Sequence, residues 1–320
     1  MMFKKISSKV TIYVNLILLV IMILGTFFIC RNQSQVLENQ VLERARVESI
    51  LGAKMTGMIL EEAIDNGILS STAVFDTNYE EIPGFNPPKY HSKYDFYLDK
   101  ALLEIEDEFL KDSSVIAATA IDRSAYLPTH NTRFQNPLTW DEKTDQLGNR
   151  TKQILTNEAG KKAAQNTKEG FTQKFILLRE ANNLGGLPEE LQKLYQREAG
   201  QDAWDVASPI LVKGKHWGNF RVAMSMVKTN EQKNILQLHI ISTMLVILIV
   251  SFIAVRLIVN KSLSPLNELT ERASELADGD VDEPIKVDSK DEIGHLADVL
   301  ERLRISIKIA MDKLRKSSGA

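Results

Sequence analysis

In the stretch WDVASPILVKGKHWGNFRVAMSMV, residues 204–227, a Lys-Gly-Lys turn separates two runs with strand composition. Read with a period of two, Phe220, Val222, Met224 and Met226 fall on one face of the second run, and Trp217, Asn219 and Arg221 on the other. The first set is core. The second joins an aromatic wall to an amide and a guanidinium, the mixture that lines small-molecule sites, and it would serve equally as a structural hydrogen-bonded patch. Both readings stand at this point. A second group, Tyr126, His130 and Asn131 in YLPTHN, follows a DRSAY turn and offers further pocket candidates. His130 and Asn131 are also suited to satisfying backbone groups in that turn. Asn149 and Arg150 are a third, weaker pair.

Catalytic chemistry has no foothold. The chain holds no Gly-rich phosphate loop, no His-Glu-x-x-His and no Gly-x-Ser-x-Gly. Its 5 histidines are scattered and its 1 cysteine, Cys30, excludes an intrachain disulfide and a Cys/His metal framework. The acidic runs EEAIDNG and EIEDEFLKD read as solvated helix faces. A net charge of −3 over 320 residues gives no expectation of nucleic-acid binding, and no metal or cofactor is implied.

Stepping along the chain, two runs are uncharged: VTIYVNLILLVIMILGTFFI from Val10, and ILQLHIISTMLVILIVSFIAV from Ile235. Each has about the 20 residues that cross a hydrocarbon core as a helix. The first has no small-x-small cleavage site, so it reads as an uncleaved anchor. Lys4, Lys5 and Lys9 precede the first run and Arg256 and Lys261 follow the second, which by the positive-inside rule puts both ends in the cytoplasm. The expected division is a cytoplasmic N-terminus over 1–9, a membrane helix over 10–30, an outer domain over 31–234 and a second membrane helix over 235–255. A cytoplasmic segment over 256–314 and a polar tail over 315–320 complete it.

Within the outer domain, apolar spacing predicts one long helix leaving the membrane and, after NPPKYHSK, a second helix over YDFYLDKALLEIEDEFLKD with Leu98, Leu102, Ile105 and Phe109 on one face. Short β-branched runs, SSVIAATAID and FTQKFILL, then precede the hairpin. At VIAATAIDRSAYLPTHN, NRTKQIL and SPILVKGKHWGNFRVAM, the segment resembles the Cache-type, PAS-like sensor domains found outside many chemoreceptors and kinases. That resemblance implies a helix-flanked antiparallel sheet holding a small-molecule ligand. The stretch ILLREANNLGGLPEELQKLYQREAGQ is longer than the usual link between strands there.

In the cytoplasmic segment Leu266, Leu269, Ala273 and Leu276 are spaced by threes and fours, as are Ile293, Leu296, Leu300, Leu303, Ile307, Ala310 and Leu314. Such seams wind helices into coiled coils. Between them lies DGDVDEPIKVD, with Gly279 suited to a left-handed helix end and Val281 and Ile285 as apolar anchors. Ser289 and Glu292 have capping-box spacing. With Pro265 after the membrane helix, ADGDV and DEIG, this segment resembles a HAMP domain, a helix–connector–helix unit that dimerises into a parallel four-helix bundle. The resemblance implies that Pro265 lies near the control junction, that Val281 and Ile285 pin the connector, and that Glu292 helps couple the helices.

The expected whole is an α+β membrane protein: two transmembrane helices, a PAS-like sheet outside and a HAMP coiled coil inside. It reads as a homodimeric, non-enzymatic receptor of a bacterial or archaeal plasma membrane. An outer ligand or partner would bias it between two conformations. Only RKSSGA follows Leu314, so the expected output is a separate cytoplasmic kinase, phosphatase or adaptor. The alternative is the N-terminal sensor part of a longer chemoreceptor or histidine kinase; a membrane-tethered enzyme would need a catalytic constellation that the residues do not supply.

Overall fold

A computed structural model describes residues 6–289 and 291–318 of the chain, with side chains to Leu314. Lys4 and Lys5, read above as topology signals, and the last two residues of the polar tail lie outside the described residues. The chain divides into two compact units, Arg31–Leu236 and Met1–Cys30 with Gln237–Ala320.

The first unit begins within α1 (Ile6–Asp65). Gly67, at φ +71°, ends that helix with two closing bonds, Ile68 N to Ala63 O and Gly67 N to Ile64 O. Next come α2 (Ser71–Val74), β1 (Glu80–Ile82), β2 (Lys89–His91), α3 (Asp95–Ala101) and α4 (Leu103–Glu108). Then follow β3 (Val115–Asp122), β4 (Tyr126–Leu127), α5 (Glu142–Gly148), β5 (Gln153–Ile154) and α6 (Glu158–Ala164). The unit continues with β6 (Phe171–Ile176), α7 (Glu189–Glu198), β7 (Asp202–Val212), β8 (Lys215–Ser225) and the start of α8 (Val227–Ala277). The antiparallel sheet has the order β3-β8-β7-β6, so the predicted β7–β8 hairpin forms its centre.

The single helix expected over residues 94–112 is broken at Leu102 into α3, α4 and a 3-10 turn over Phe109–Lys111. The break keeps Leu98 and Leu102 in the core and turns Glu106 toward the free edge of the sheet. There Glu106 Oε1 accepts the Ala120 amide at 3.0 Å, pairing a group that an edge strand would otherwise leave bare.

Each sheet face has its own partner. Toward α1, Ala118, Ala120, Val206, Phe220, Val222 and Met224 pack with Val41, Ala45, Ala53 and Leu60 in the main core. Small residues let α1 lie close: a Cβ on Gly52 would sit 2.3 Å from the Phe220 ring. Fully burying a side chain such as Phe220 stabilises by about 1.5–3 kcal/mol. The opposite face carries two smaller apolar clusters. One gathers Ile116, Phe134 and Ala203 with residues of α7; the other gathers Ile121, Ala207, Ala163 and Ala164. Between these clusters the sheet is polar, and that gap is where the candidate site lies.

In the second unit α1 and α8 are each long and apolar enough to cross a membrane. Beyond them, α9 (Glu292–Ser318) follows an extended connector. Leu269, Leu276, Ile285 and Ala297 form a small buried cluster, with Val281, Val287, Ile293, Leu300 and Ile307 packed against it.

Candidate functional site

The polar gap follows from strand register. Thr119 on β3 is paired with Arg221 on β8, and Gln173 on β6 with Asp205 on β7. Strand alternation aims all four away from α1. Arg221 spans to Asp205 in a bidentate pair, Nε to Oδ1 at 3.1 Å and Nη2 to Oδ2 at 2.8 Å, and Gln173 Nε2 donates to the same Oδ2 at 2.8 Å. Asp205 is buried, whereas the Arg221 side chain keeps 16% of its surface. A buried bidentate guanidinium–carboxylate pair is strong and geometrically specific.

The 129–135 segment closes over this row. Thr119 Oγ1 donates to Thr129 O at 3.1 Å, and Gln135 Nε2 donates to Thr129 Oγ1 at 2.8 Å and to His130 O. His130 is buried beside the Phe134 ring, and its Nδ1 lies 2.8 Å from Asn131 Oδ1. Burial, with the charges of Arg150, Arg221 and Arg133, depresses the imidazole to about 3, so it is neutral at any physiological pH. Arg150 stacks over Phe134 at 4.9 Å and donates to the Tyr195 hydroxyl at 2.9 Å. Asn131 is fully buried and its Nδ2 has no hydrogen-bond partner among the described residues, a cost of about 1–3 kcal/mol unless something accepts from it.

The structure therefore brings Arg221, His130 and Asn131 together and adds Thr119, Asp205, Gln173 and Arg150. Asn219 lies on the same strand but is spent on α6: its Nδ2 donates to Ala164 O at 3.1 Å and Asn166 O at 2.9 Å. Trp217 departs from the face expected for it. Gly218 pairs with Ile210 and His216 with Leu211, leaving Trp217 as the extra residue of a bulge. The bulge reverses the alternation, so Trp217 lies in the main core with Phe220, 2% exposed, its Nε1 donating to Val74 O at 2.8 Å. Tyr126 belongs to that core too; its hydroxyl donates to Tyr90 O at 2.8 Å. Asp205 and Gln173 escaped sequence reading because only the strand register carries them to Arg221.

In the second unit the connector is held by a helix end and by apolar residues. Gly279 takes φ +99°, and Asp280 N to Glu275 O with Gly279 N to Leu276 O closes the end of α8. Ile285 is buried and Val281 half-buried in the small cluster, and Pro265 lies inside the continuous helix α8. Glu292 is the first residue of α9 and is exposed. The cap of α9 is not the expected Ser289. Asp291 Oδ1 accepts Ile293 N at 2.9 Å and Gly294 N at 3.4 Å, and Ser289 Oγ donates to that same carboxylate at 2.5 Å. An Asp directly before the first turn reaches the free amides, whereas Ser289 lies too far back.

Sequence reading also missed a clamp from α9. Glu301 Oε2 accepts Ile285 N at 2.8 Å, Arg304 donates to Val281 O and to Glu301, and Lys308 pairs with Asp282 at 2.8 Å. The expected seam of α9 splits in two. Ile293, Leu300 and Ile307 belong to the cluster with α8, joined there by Ala297 from outside that seam, while Leu296, Leu303 and Leu314 stay exposed.

Residues 257–308 match the HAMP domain family. No curated protein and no solved structure matches the chain. A HAMP domain is a signalling unit, and here two helices able to cross a bilayer flank a sheet domain in the sequence. The combination fits a membrane-bound receptor with a role in signal transduction.

Proposed function

We propose that the chain is a homodimeric transmembrane receptor whose outer, Cache-like unit binds a small molecule at the Arg221 row. Binding shifts α8 and so biases a HAMP bundle that controls a cytoplasmic effector. The observation that carries this reading is one of continuity. The last strand of the sheet, β8, which bears Arg221, ends at Ser225, and α8 begins at Val227 and runs unbroken to Ala277 at the HAMP connector. A change in the strand register around Arg221 thus enters the signalling helix through one residue, Met226, itself buried in the main core.

Ligand chemistry follows from the donors. Arg221 and Arg150 supply guanidinium groups and Asn131 an unsatisfied buried amide, which together favour a carboxylate or another small anion that competes with Asp205 for Arg221. Only a ligand with different affinity for the two conformations moves the equilibrium. Positive flanks at Lys9, Arg256 and Lys261 support both ends being cytoplasmic in a plasma membrane. The reading assigns the chain no catalysis and no cofactor.

Dimerisation is tested through the open half of the α9 seam, where Leu303 is 50% exposed. In a Cys30→Ser background, Leu303→Cys in native membranes should give a disulfide-linked symmetric dimer, while a cysteine at outward-facing Arg302 should not. Monomer alone from both variants would overturn the bundle. For the ligand, a thermal-shift screen of the full chain against small organic anions should give a hit that Arg221→Ala weakens by about tenfold or more.

A further inference from the structure

We propose that the outer unit carries a second ligand site, a small aromatic cleft beside Trp140 that takes an organic ammonium ion. The cleft has a volume of about 190 Å³ and is lined by Phe85, Lys89, Trp140, Glu142, Asp145 and Gln153 among others. It shares no residue with the Arg221 row, so it stands whether or not that row holds a ligand. Its volume lies well below that of drug-sized pockets, about 300–1,000 Å³, so its ligand is small.

Trp140 is the unusual residue. Its side chain is 77% exposed, and its backbone sits in the left-handed region at φ +66°. A bulky residue held there costs about 1–3 kcal/mol, and the surroundings impose it. Asp145 Oδ2 accepts Trp140 N at 3.0 Å, and Oδ1 accepts Thr139 N at 2.7 Å and Thr139 Oγ1 at 2.8 Å. The indole is thereby set near-parallel to Phe85, with an interplanar angle of 17° and centroids 6.1 Å apart. Two aligned rings with an open indole present the negative faces of their π systems, which attract a cation.

The charges of the cleft have the same sign preference. Glu142 Oε1 bonds only the neutral Asn86 amide, at 2.8 Å, and Asp145 bonds only the 139–140 turn, so neither carboxylate is in an ion pair among the described residues. The one cation in the lining, Lys89, attracts Asp145 and offsets part of its charge, which leaves Glu142 as the carboxylate open to a ligand. Lys89 is buried, and its Nζ donates to Asn149 Oδ1 at 2.8 Å and Thr151 O at 2.7 Å. What remains for a ligand is two aromatic rings and the Glu142 carboxylate in one lining, which suits a primary or quaternary ammonium and disfavours a free carboxylate.

The test uses the full-length protein in maltoside micelles and two probes of one shape: choline, and its neutral carbon analogue 3,3-dimethylbutan-1-ol. Isothermal titration calorimetry should give saturable binding of choline, about tenfold tighter than the analogue. Trp140→Ala should weaken choline by about tenfold, Trp140→Phe should retain most of it, and Glu142→Gln should weaken it by about threefold. Equal binding of the two probes would overturn the proposal, as would choline affinity unchanged in Trp140→Ala. So would the lack of any saturable response up to about 50 mM, weaker than any useful site. Trp140 and Glu142 are both exposed, so both variants should keep the parent melting curve; failure of the Arg221 row would leave these outcomes untouched.

Discussion

Two buried titratable groups flank the Arg221 row and pull stability in opposite directions with pH. Glu106 is wholly buried, with Oε1 on the Ala120 amide and Oε2 unpartnered, and burial pushes its carboxyl up to about 8. The folded chain therefore holds a proton that the unfolded chain, at about 4.5, releases. Stability from this group is full below pH 4.5 and is lost as pH rises through 8, with a limiting slope of about 1.4 kcal/mol per pH unit. His130 does the reverse: with the folded value near 3 and the unfolded near 6.5, stability falls as pH drops below 6.5. Between pH 7 and 8.5 His130 is silent, but Glu48, raised to about 7, and Lys89, lowered to about 8, titrate as well, so the share of Glu106 is read from the difference between parent and variant. Glu106→Gln keeps the shape and the acceptor for Ala120 and removes the ionisation. Melting of the full chain at pH 7 and pH 8.5 should show a gap for the parent that shrinks in Glu106→Gln. An unchanged gap would mean that Glu106 is already ionised in the fold.

Among the elements, the bulge in β8 decides which residues face the site. A Cβ on Gly218 would lie 2.0 Å from Ile121 O and 2.5 Å from Asp122 Cα, both backbone, so the neighbouring strand cannot yield without breaking its ladder. Gly218→Ala should cost about 3 kcal/mol or more in the melting of the full chain, whereas Gly185→Ala, with open space around it, should stay within about 0.5 kcal/mol. Equal melting temperatures for the two would refute the close packing. The same bulge shows where reading residues in order succeeds and where it stops. The hairpin, the apolar helices and the Gly279 helix end announce themselves by local period and turn chemistry. The bulge leaves only a Gly after Trp217, and alternation carried through it assigns Trp217 to the wrong face. Asp205 and Gln173 join Arg221 across 16 and 48 residues of chain through register alone, as their positions in the sequence make plain. The α9 clamp, Glu301 and Arg304 on the connector, has the same character: both look like ordinary solvated charges until the connector lies beside them.

At the scale of the whole molecule, the proposed relay depends on stiffness between the site and the HAMP segment. A helix transmits a shift or rotation while its turns stay stacked, and α8 runs as one helix from Val227 to Ala277, lacking only the ladder bond that Pro265 cannot donate. Glycine in a helix interior costs about 1 kcal/mol per residue, so three inserted together make a local hinge. Removing the guanidinium by Arg221→Ala unpairs Asp205 and should shift the outer unit between its conformations, read as a changed rate of Leu303→Cys disulfide formation in the Cys30→Ser chain. Three glycines inserted after Asn230 should leave the dimer intact and crosslinking, yet erase the difference that Arg221→Ala makes. If the difference survives the insertion, the signal does not travel through α8. If Arg221→Ala makes no difference even without the insertion, the row at the centre of the sheet is a structural brace, and the proposed ligand site must be sought elsewhere on the sheet unit.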